Sequence, residues 1–523
     1  MPPAVLPIPS RTGPEGPPRP FGAEPALGRS APATPPGLPA AQDRVMLDGP
    51  FPTGGLTRSV SDGTLLLAED PHVRELALER IRASGAAVVR IPVNWDDVVQ
   101  ADPAAGTNAR DPADPAYDFA RIDASVRSAV AAGLRPLLVV SHAPAFAEAP
   151  DRWPYAYPGS WDPDPQALGE FATALATRYD GSFPDPAGDG RLLPRVRLFQ
   201  AWNEPNLARY LEPQWIARDG RWIAFSPLLY RELLNAFYAG VKAVQPSAVI
   251  VTAGIAPNGD PAGISRVAPV TFLRVLLCLG VSGQPGAGCA DPPHFDVLAF
   301  HPLSFEGPDL AAGPSLDVSI ADIAKVTRLL RLARQLHTAL PAGAKGLWVT
   351  ELNWESAPPS PDGVPAAQQA AWISRALHRL WAAGVSLVSW EFLVDPASGV
   401  LANTPTGGTF QYQRSAGLYS AGPGGDLELA RPKAFLRGFT LPFDPLRRDP
   451  RHARIWALLT DPGQPALLQR ATPAGGWRTL ARLRADRAGV LNVLVRLRGA
   501  ARLRLVSGSL LSAEAYVPAR GGI

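Results

Sequence analysis

Short runs of consecutive apolar residues recur through the middle of the chain, and each is followed by a longer stretch in which apolar positions return at helical spacing. The runs are Ala87–Val93, Arg135–Ser141, Val196–Trp202, Ala248–Ala253, Phe295–Phe300, Gly346–Thr350 and Val385–Trp390, with a weaker one near Gln42–Leu47. An unbroken apolar run predicts a strand covered on both faces, as in a parallel sheet. The intervening patterns predict helices, among them His72–Ala83, Gln166–Tyr179, Pro227–Val244, Val318–Leu336 and Pro365–Ala382. Ser226 before Pro227 reads as a cap followed by proline at the first helical position.

Eight strands alternating with helices over residues 41–445 predict an α/β fold, a (β/α)₈ TIM barrel with insertions. The competing architecture is a doubly wound open sheet, which normally carries a glycine-rich phosphate loop after its first strand. Neither G-x-G-x-x-G nor G-x-x-x-x-G-K occurs in that context. Residues 1–40 hold 13 of the 59 prolines and lack apolar periodicity, which predicts an extended or disordered tail. From 446 to 523 the pattern changes to short strands between Pro/Gly turns, such as Ile455–Thr460, Ala466–Ala471 and Val490–Arg498, and predicts a small sandwich-like all-β module.

Composition narrows the function classes. With 46% hydrophobic and 19% charged residues the chain is globular, and its formal charge of +3 points to neither nucleic acid nor a membrane surface as partner. No apolar run is long enough to span a bilayer, and the proline-broken stretch from Met1 to Ser10 is no clear signal peptide. Charge is uneven. Residues 447–520 hold fourteen arginines, no lysine and four acidic residues, so this stretch carries +10 and the remainder −7. The alternation of Arg with apolar residues over Val495–Leu505 reads as one wet and one buried strand face; a face for an acidic polymer is the alternative. Two cysteines, Cys278 and Cys289, lie too close together and too few for a zinc site, and their spacing suits a disulfide pinning one loop, with two buried thiols as the alternative. A disulfide implies an oxidising compartment, hence an extracellular or cell-envelope location.

The candidate chemistry sits at strand ends. Phe199-Gln200-Ala201-Trp202-Asn203-Glu204-Pro205-Asn206 ends the fourth strand on an acid, and Leu347-Trp348-Val349-Thr350-Glu351-Leu352 ends the seventh on another. In a barrel the C-terminal strand ends face the mouth, and strands four and seven lie across it from each other, so Glu204 and Glu351 can converge on one bond. Either glutamate alone has a bland reading as a solvated strand-end acid; the pair at matching ends is far harder to obtain by chance.

These segments resemble the clan A glycoside hydrolases, in particular the family 5 cellulase-like and family 39-like retaining enzymes, over residues 41–445. The resemblance implies that Glu204, within Asn203-Glu204-Pro205, is the acid/base and Glu351 the nucleophile of a β-glycosidase acting by double displacement on a carbohydrate, without metal or organic cofactor. It further implies that Arg90 supports the nucleophile, that His142 lies in the sugar subsite, that His301 is the strand-six histidine and that Trp390 floors the subsite, while Asn203, beside Glu204 at the barrel mouth, is placed to hydrogen-bond a substrate hydroxyl. Leu303 stands where several clan members have a tyrosine, two residues after His301. Two readings from other classes stay open: a non-catalytic carbohydrate-binding barrel, which would dispense with one carboxylate, and a scaffold whose arginine-rich module binds an anionic polymer. Oligomeric state and sugar specificity are not legible.

Overall fold

The computed structural model describes residues 54–99, 108–188, 190–280, 289–304, 306–395, 401–403, 409–411 and 415–519. The proline-rich segment 1–40 and the weak strand near Gln42–Leu47 lie outside the described residues.

Eight parallel strands close into a barrel: β1 (Thr57–Ser61), β2 (Val88–Asn94), β3 (Arg135–Ser141), β4 (Leu198–Ala201), β5 (Val249–Thr252), β6 (Val297–Phe300), β7 (Gly346–Leu352) and β8 (Leu387–Glu391). Closure is made by β1, which pairs in parallel with both β8 and β2. The first strand is therefore Thr57–Ser61, a segment without the apolar run that marks the other seven. Its residue Arg58 is buried and directed outward, where NH1 donates to the carbonyls of Phe439 (2.6 Å) and Thr440 (2.5 Å). Burial without a carboxylate pulls the pKa of this guanidinium down to about 10.

Among the described residues, eight helices of seven or more residues surround the barrel: α1 (Pro71–Ala83), α2 (Ala120–Ala131), α3 (Pro165–Arg178), α4 (Ser226–Val244), α5 (Pro269–Leu276), α6 (Ala324–Gln335), α7 (Ala366–Ala382) and α8 (Ala434–Thr440). α1 and α3 start on the same device, an Asp cap before proline. Asp70 accepts from the His72 backbone N–H (2.9 Å) and Asp164 from that of Gln166 (2.8 Å), while Pro71 and Pro165 fill positions whose N–H would lack a helical partner. Ser226 does not cap α4. It lies inside the first turn, and its hydroxyl donates to Gln214 Oε1 (3.2 Å).

The barrel interior is filled by the inward-facing residues of alternate positions. Val88, Leu137, Val139, Leu198, Val251, Val297, Ala299, Trp348 and Leu387 form one buried apolar plug. Two residues further along the strands the inward positions turn polar: Arg90, Ser141, Gln200, His301, Thr350 and Ser389 are all buried. This change from an apolar floor to a polar ceiling puts the site at the C-terminal strand ends.

The C-terminal unit holds two antiparallel sheets. One is β9 (Phe443–Asp449), β10 (His452–Leu458) and β13 (Val490–Arg496); the other is β11 (Ala466–Ala471), β12 (Trp477–Leu483), β14 (Ala501–Ser507), β15 (Leu510–Leu511) and β16 (Ala515–Val517). Leu468, Leu491, Leu503 and Leu505 are among the buried residues between them. The Arg/apolar stretch Val495–Leu505 is the end of β13, a turn with Gly499 at φ 67°, and most of β14, rather than one strand. On β14, Arg504 lies over the Trp477 ring at 4.1 Å. The unit is clamped to the barrel. Asp444 on β9 accepts from His378 Nδ1 (2.6 Å) and Arg375 NH1 (3.2 Å) of α7, and Trp456 stacks on His378 at 4.7 Å.

Candidate active site

Glu351 reaches the barrel mouth through a β-bulge. In the pairing of β7 with β8, Val349 is opposite Val388 and Leu352 opposite Trp390, so Thr350 and Glu351 together oppose Ser389. The extra residue breaks the strict alternation of sides and lets both Thr350 and Glu351 contact the groups inside the barrel. Glu204 arrives differently. The chain leaves β4 through two residues in the left-handed region, Trp202 (φ 75°) and Glu204 (φ 38°), and the Glu204 N–H is tied to the Gly254 carbonyl (3.0 Å) beyond β5. Such backbone positions are strained for a non-glycine residue and persist where the surroundings hold them.

His301, wholly buried, sits between the two acids. Its Nδ1 is 2.9 Å from Glu204 Oε1 and 3.4 Å from Glu351 Oε2, and its Nε2 is 2.9 Å from Thr350 Oγ1. The ring is seated against Gly254: a Cβ there would lie 1.8 Å from Nε2. One oxygen each of Glu204 and Glu351 and the His301 nitrogen all fall within 4.8 Å of one another.

Arg90 directs each arm of its guanidinium. NH1 contacts Glu351 Oε1 (2.9 Å), NH2 donates to Asn203 Oδ1 (2.8 Å), and Nε donates to Gln200 Oε1 (3.2 Å). Arginine only donates, so the Gln200 carbonyl must face it. The Gln200 amide then donates to Thr350 Oγ1 (3.2 Å) and to the Thr252 carbonyl (3.0 Å). Thr350 Oγ1 accepts from Gln200, and among the described residues His301 Nε2 is the one acceptor within reach of its O–H, so Thr350 turns its O–H there. That leaves the hydrogen of the neutral ring on Nδ1, facing the acids. Burial pulls the His301 pKa down to about 4, so the neutral ring is the working form. A chain of directed hydrogen bonds thus runs from Arg90 through Gln200, Thr350 and His301 to Glu204.

The acids differ in surroundings. Burial pushes the Glu204 pKa up to about 7, against the opposing pull of Arg90 and Arg209. Glu351 instead holds a charge-assisted contact to Arg90. The three side chains Glu204, His301 and Glu351 are close enough to surround a cation. Arg90 already lies beside Glu351, a positive charge that opposes a cation there.

The remaining expected positions separate. Asn203 is buried with its oxygen on Arg90. His142 (φ 59°) bonds Ser141 Oγ through Nδ1 (2.9 Å) and meets Tyr210 edge-on at 5.6 Å; burial draws its pKa down to about 4. Trp390 does not face the mouth. It shares the parity of Val388, points to the helix layer, packs on Phe435 (5.1 Å) and Trp354 (6.1 Å), and donates Nε1–H to the Ala416 carbonyl (2.9 Å). It is fully buried and offers no open ring face as a sugar floor. The next residue, Glu391, takes the inward side, where its carboxyl is in hydrogen-bond contact with Glu351. Strand parity alone, counted from Leu387, would have marked it. Cys278 and Cys289 are bonded to each other, with Cα atoms 5.8 Å apart.

No family model and no curated protein matches the chain. Among solved structures it is similar to glycoside hydrolases. A family 39 enzyme from the gut symbiont Bacteroides cellulosilyticus WH2 is 17% identical over 88% of this chain and 82% of that one, with a TM-score of 0.47. A glucosidase from Croceicoccus marinus is 13% identical over 90% and 96%, with a TM-score of 0.46. A family 39 β-xylosidase from Caulobacter crescentus is 15% identical over 87% and 98%, with a TM-score of 0.43.

Proposed function

We propose that the chain is a retaining β-glycosidase hydrolysing O-glycosidic bonds of a carbohydrate. The observation that carries this is the convergence of Glu204 and Glu351, one oxygen of each lying within 4.8 Å of the other. Retaining enzymes keep the two carboxyl groups about 5–5.5 Å apart, whereas inverting enzymes leave roughly 6.5–9.5 Å for an intervening water. Glu351, held by Arg90, attacks the anomeric carbon as Glu204 gives its proton to the departing oxygen. Water then enters, Glu204 takes a proton from it, and the glycosyl ester to Glu351 is cleaved. A Glu204 pKa of about 7 keeps most of the acid protonated below neutral pH. His301 holds Glu204 by its Oε1, so Oε2 carries the proton. The Cys278–Cys289 bond supports an oxidising, extracellular or envelope location.

Product stereochemistry tests the mechanism. On an aryl β-glycoside that the enzyme turns over, proton NMR of the first sugar released should show the β-anomer before mutarotation. An α-anomer would refute the assignment of Glu351 as nucleophile.

A further inference from the structure

Glu391 has no part in the mechanism above, yet it lies inside the reaction centre. Leu387 belongs to the barrel plug and Ser389 is buried, so the two-residue period of β8 directs Glu391 to the same interior. Its backbone is in register with Ser61 at the end of β1, and Ser61 is in turn in register with Arg90. Its carboxyl is in hydrogen-bond contact with that of Glu351. Two carboxyl groups in such contact need a proton between them, because two carboxylates there would repel.

We propose that Glu391 is a third carboxyl of the active site, a positioning residue that keeps its proton and donates it in a hydrogen bond to Glu351, holding that carboxylate ionised and aimed. The inference rests on Glu351 being the nucleophile. Arg90 decides which of the two holds the proton: NH1 is on Glu351, NH2 on Asn203 and Nε on Gln200, so the cation neutralises Glu351. The charged groups acting on Glu391 are Glu351 from β7, Glu204 from β4 and Arg90 from β2. His301 from β6 is neutral. Asp62, just past β1, is turned to the N–H groups of Leu393 and Val394 (3.2 and 3.3 Å). Burial and the two acids hold the Glu391 carboxyl well above the usual carboxylate range, against the pull of Arg90. The proton therefore stays in place while Glu351 works.

The test compares Glu391→Ala with Glu391→Gln, both checked for folding by circular dichroism. The acidic limb of kcat/KM follows ionisation of the nucleophile. Loss of a neutral donor should move that limb to higher pH in Glu391→Ala, by about one unit for a charge-assisted hydrogen bond. Glu391→Gln keeps an N–H donor and should hold the limb near its wild-type position. A limb that moves to lower pH in Glu391→Ala would show an ionised neighbour and overturn the proposal, as would an unmoved limb. A second measurement needs no substrate. The infrared difference spectrum between wild type and Glu391→Gln at about pH 8, above the Glu204 value of about 7, should contain the carbonyl band of a protonated carboxyl. Its absence overturns the proposal. If the chain hydrolysed no glycoside at all, the glycosidase reading would fall while this band still decided where the proton resides.

Discussion

Replacing Thr350 by Val isolates one link of the directed chain. The side chain keeps its shape and loses one hydroxyl. In the wild type, Thr350 accepts from Gln200 and donates to His301 Nε2, which selects the tautomer with hydrogen on Nδ1. His301 has no exposed surface, and Gly254 leaves the ring little room to relocate. An unpaired buried polar group costs about 1–3 kcal/mol, and valine offers Nε2 no partner in either tautomer, so the protein should lose about that much stability. Thr350 no longer selects Nδ1–H, and in molecules whose ring hydrogen sits on Nε2, Nδ1 is an acceptor 2.9 Å from Glu204 Oε1. A bond that favoured the carboxylate is then replaced by one that favours the protonated acid. The sign follows: Glu204 should hold its proton to higher pH, and the alkaline limb of kcat/KM should rise from about 7 by about one unit or more. A proton bound to the imidazole is also harder to deliver, so kcat should fall by about tenfold, equivalent to about 1.4 kcal/mol. Nitrogen-15 NMR of the histidine ring reports the tautomer directly, and a pH–rate profile on an aryl glycoside reports the limb. A variant with unchanged tautomer and unchanged limb would refute the directed chain.

Further outcomes are expected at the two glutamates. Glu351→Gln should abolish turnover on every substrate, at least a thousandfold, with an unchanged circular dichroism spectrum; near-wild-type rates in a folded variant would remove Glu351 from the chemistry. Glu204→Ala should still be glycosylated by substrates with good leaving groups and then stall, with azide restoring turnover; no intermediate by mass spectrometry and no rescue would count against an acid/base role. Glu204→Gln should stabilise the protein at alkaline pH. The folded-state pKa is raised, so wild-type stability is complete below the unfolded value near 4.5 and declines as pH rises through about 7, by about 3 kcal/mol at most. Urea unfolding at pH 5 and pH 8.5 checks this, and an equal difference at both pH values would contradict it.

Seven of the eight barrel strands are legible because their residues are covered on both sides, by the interior plug and by the helix layer, so the sequence must be continuously apolar there. β1 is not, because Thr57–Ser61 meets the same burial with hydroxyls and an arginine. Arg58 is tolerated since the carbonyls of Phe439 and Thr440, nearly four hundred residues later, accept its N–H groups. That compensation is a tertiary fact without a local signature. Glu204 is visible because a strand end followed by Asn-Glu-Pro is unusual. The facing of Glu351 is less so: it depends on the bulge between β7 and β8, which strand periodicity alone would deny. The resemblance to clan A enzymes implies that Trp390, at the end of β8, floors the sugar subsite. Parity sends it outward, and the acid beside it inward.

The charge balance of the mouth explains why three carboxyls can occupy so small a space. Arg90 supplies one fixed positive charge and is bonded to Glu351. His301, with its pKa drawn down to about 4, adds none. Were Glu204 and Glu391 also ionised, two further negative charges would join Glu351 around one cation, where repulsion is stronger than at the surface. Both are instead pushed toward their neutral forms, by burial first in each case. Below about pH 7 the cluster of Arg90, Glu351, Glu204 and Glu391 then contains a single ion pair and two neutral acids. Only one proton in that arrangement is needed mobile by the proposed chemistry, the one on Glu204. The other, on Glu391, has no leaving group to serve. Raising the pH through 7 withdraws the first while the second stays in place, which is the order a double displacement requires if its alkaline limit is set by the acid and its nucleophile is to remain ready throughout.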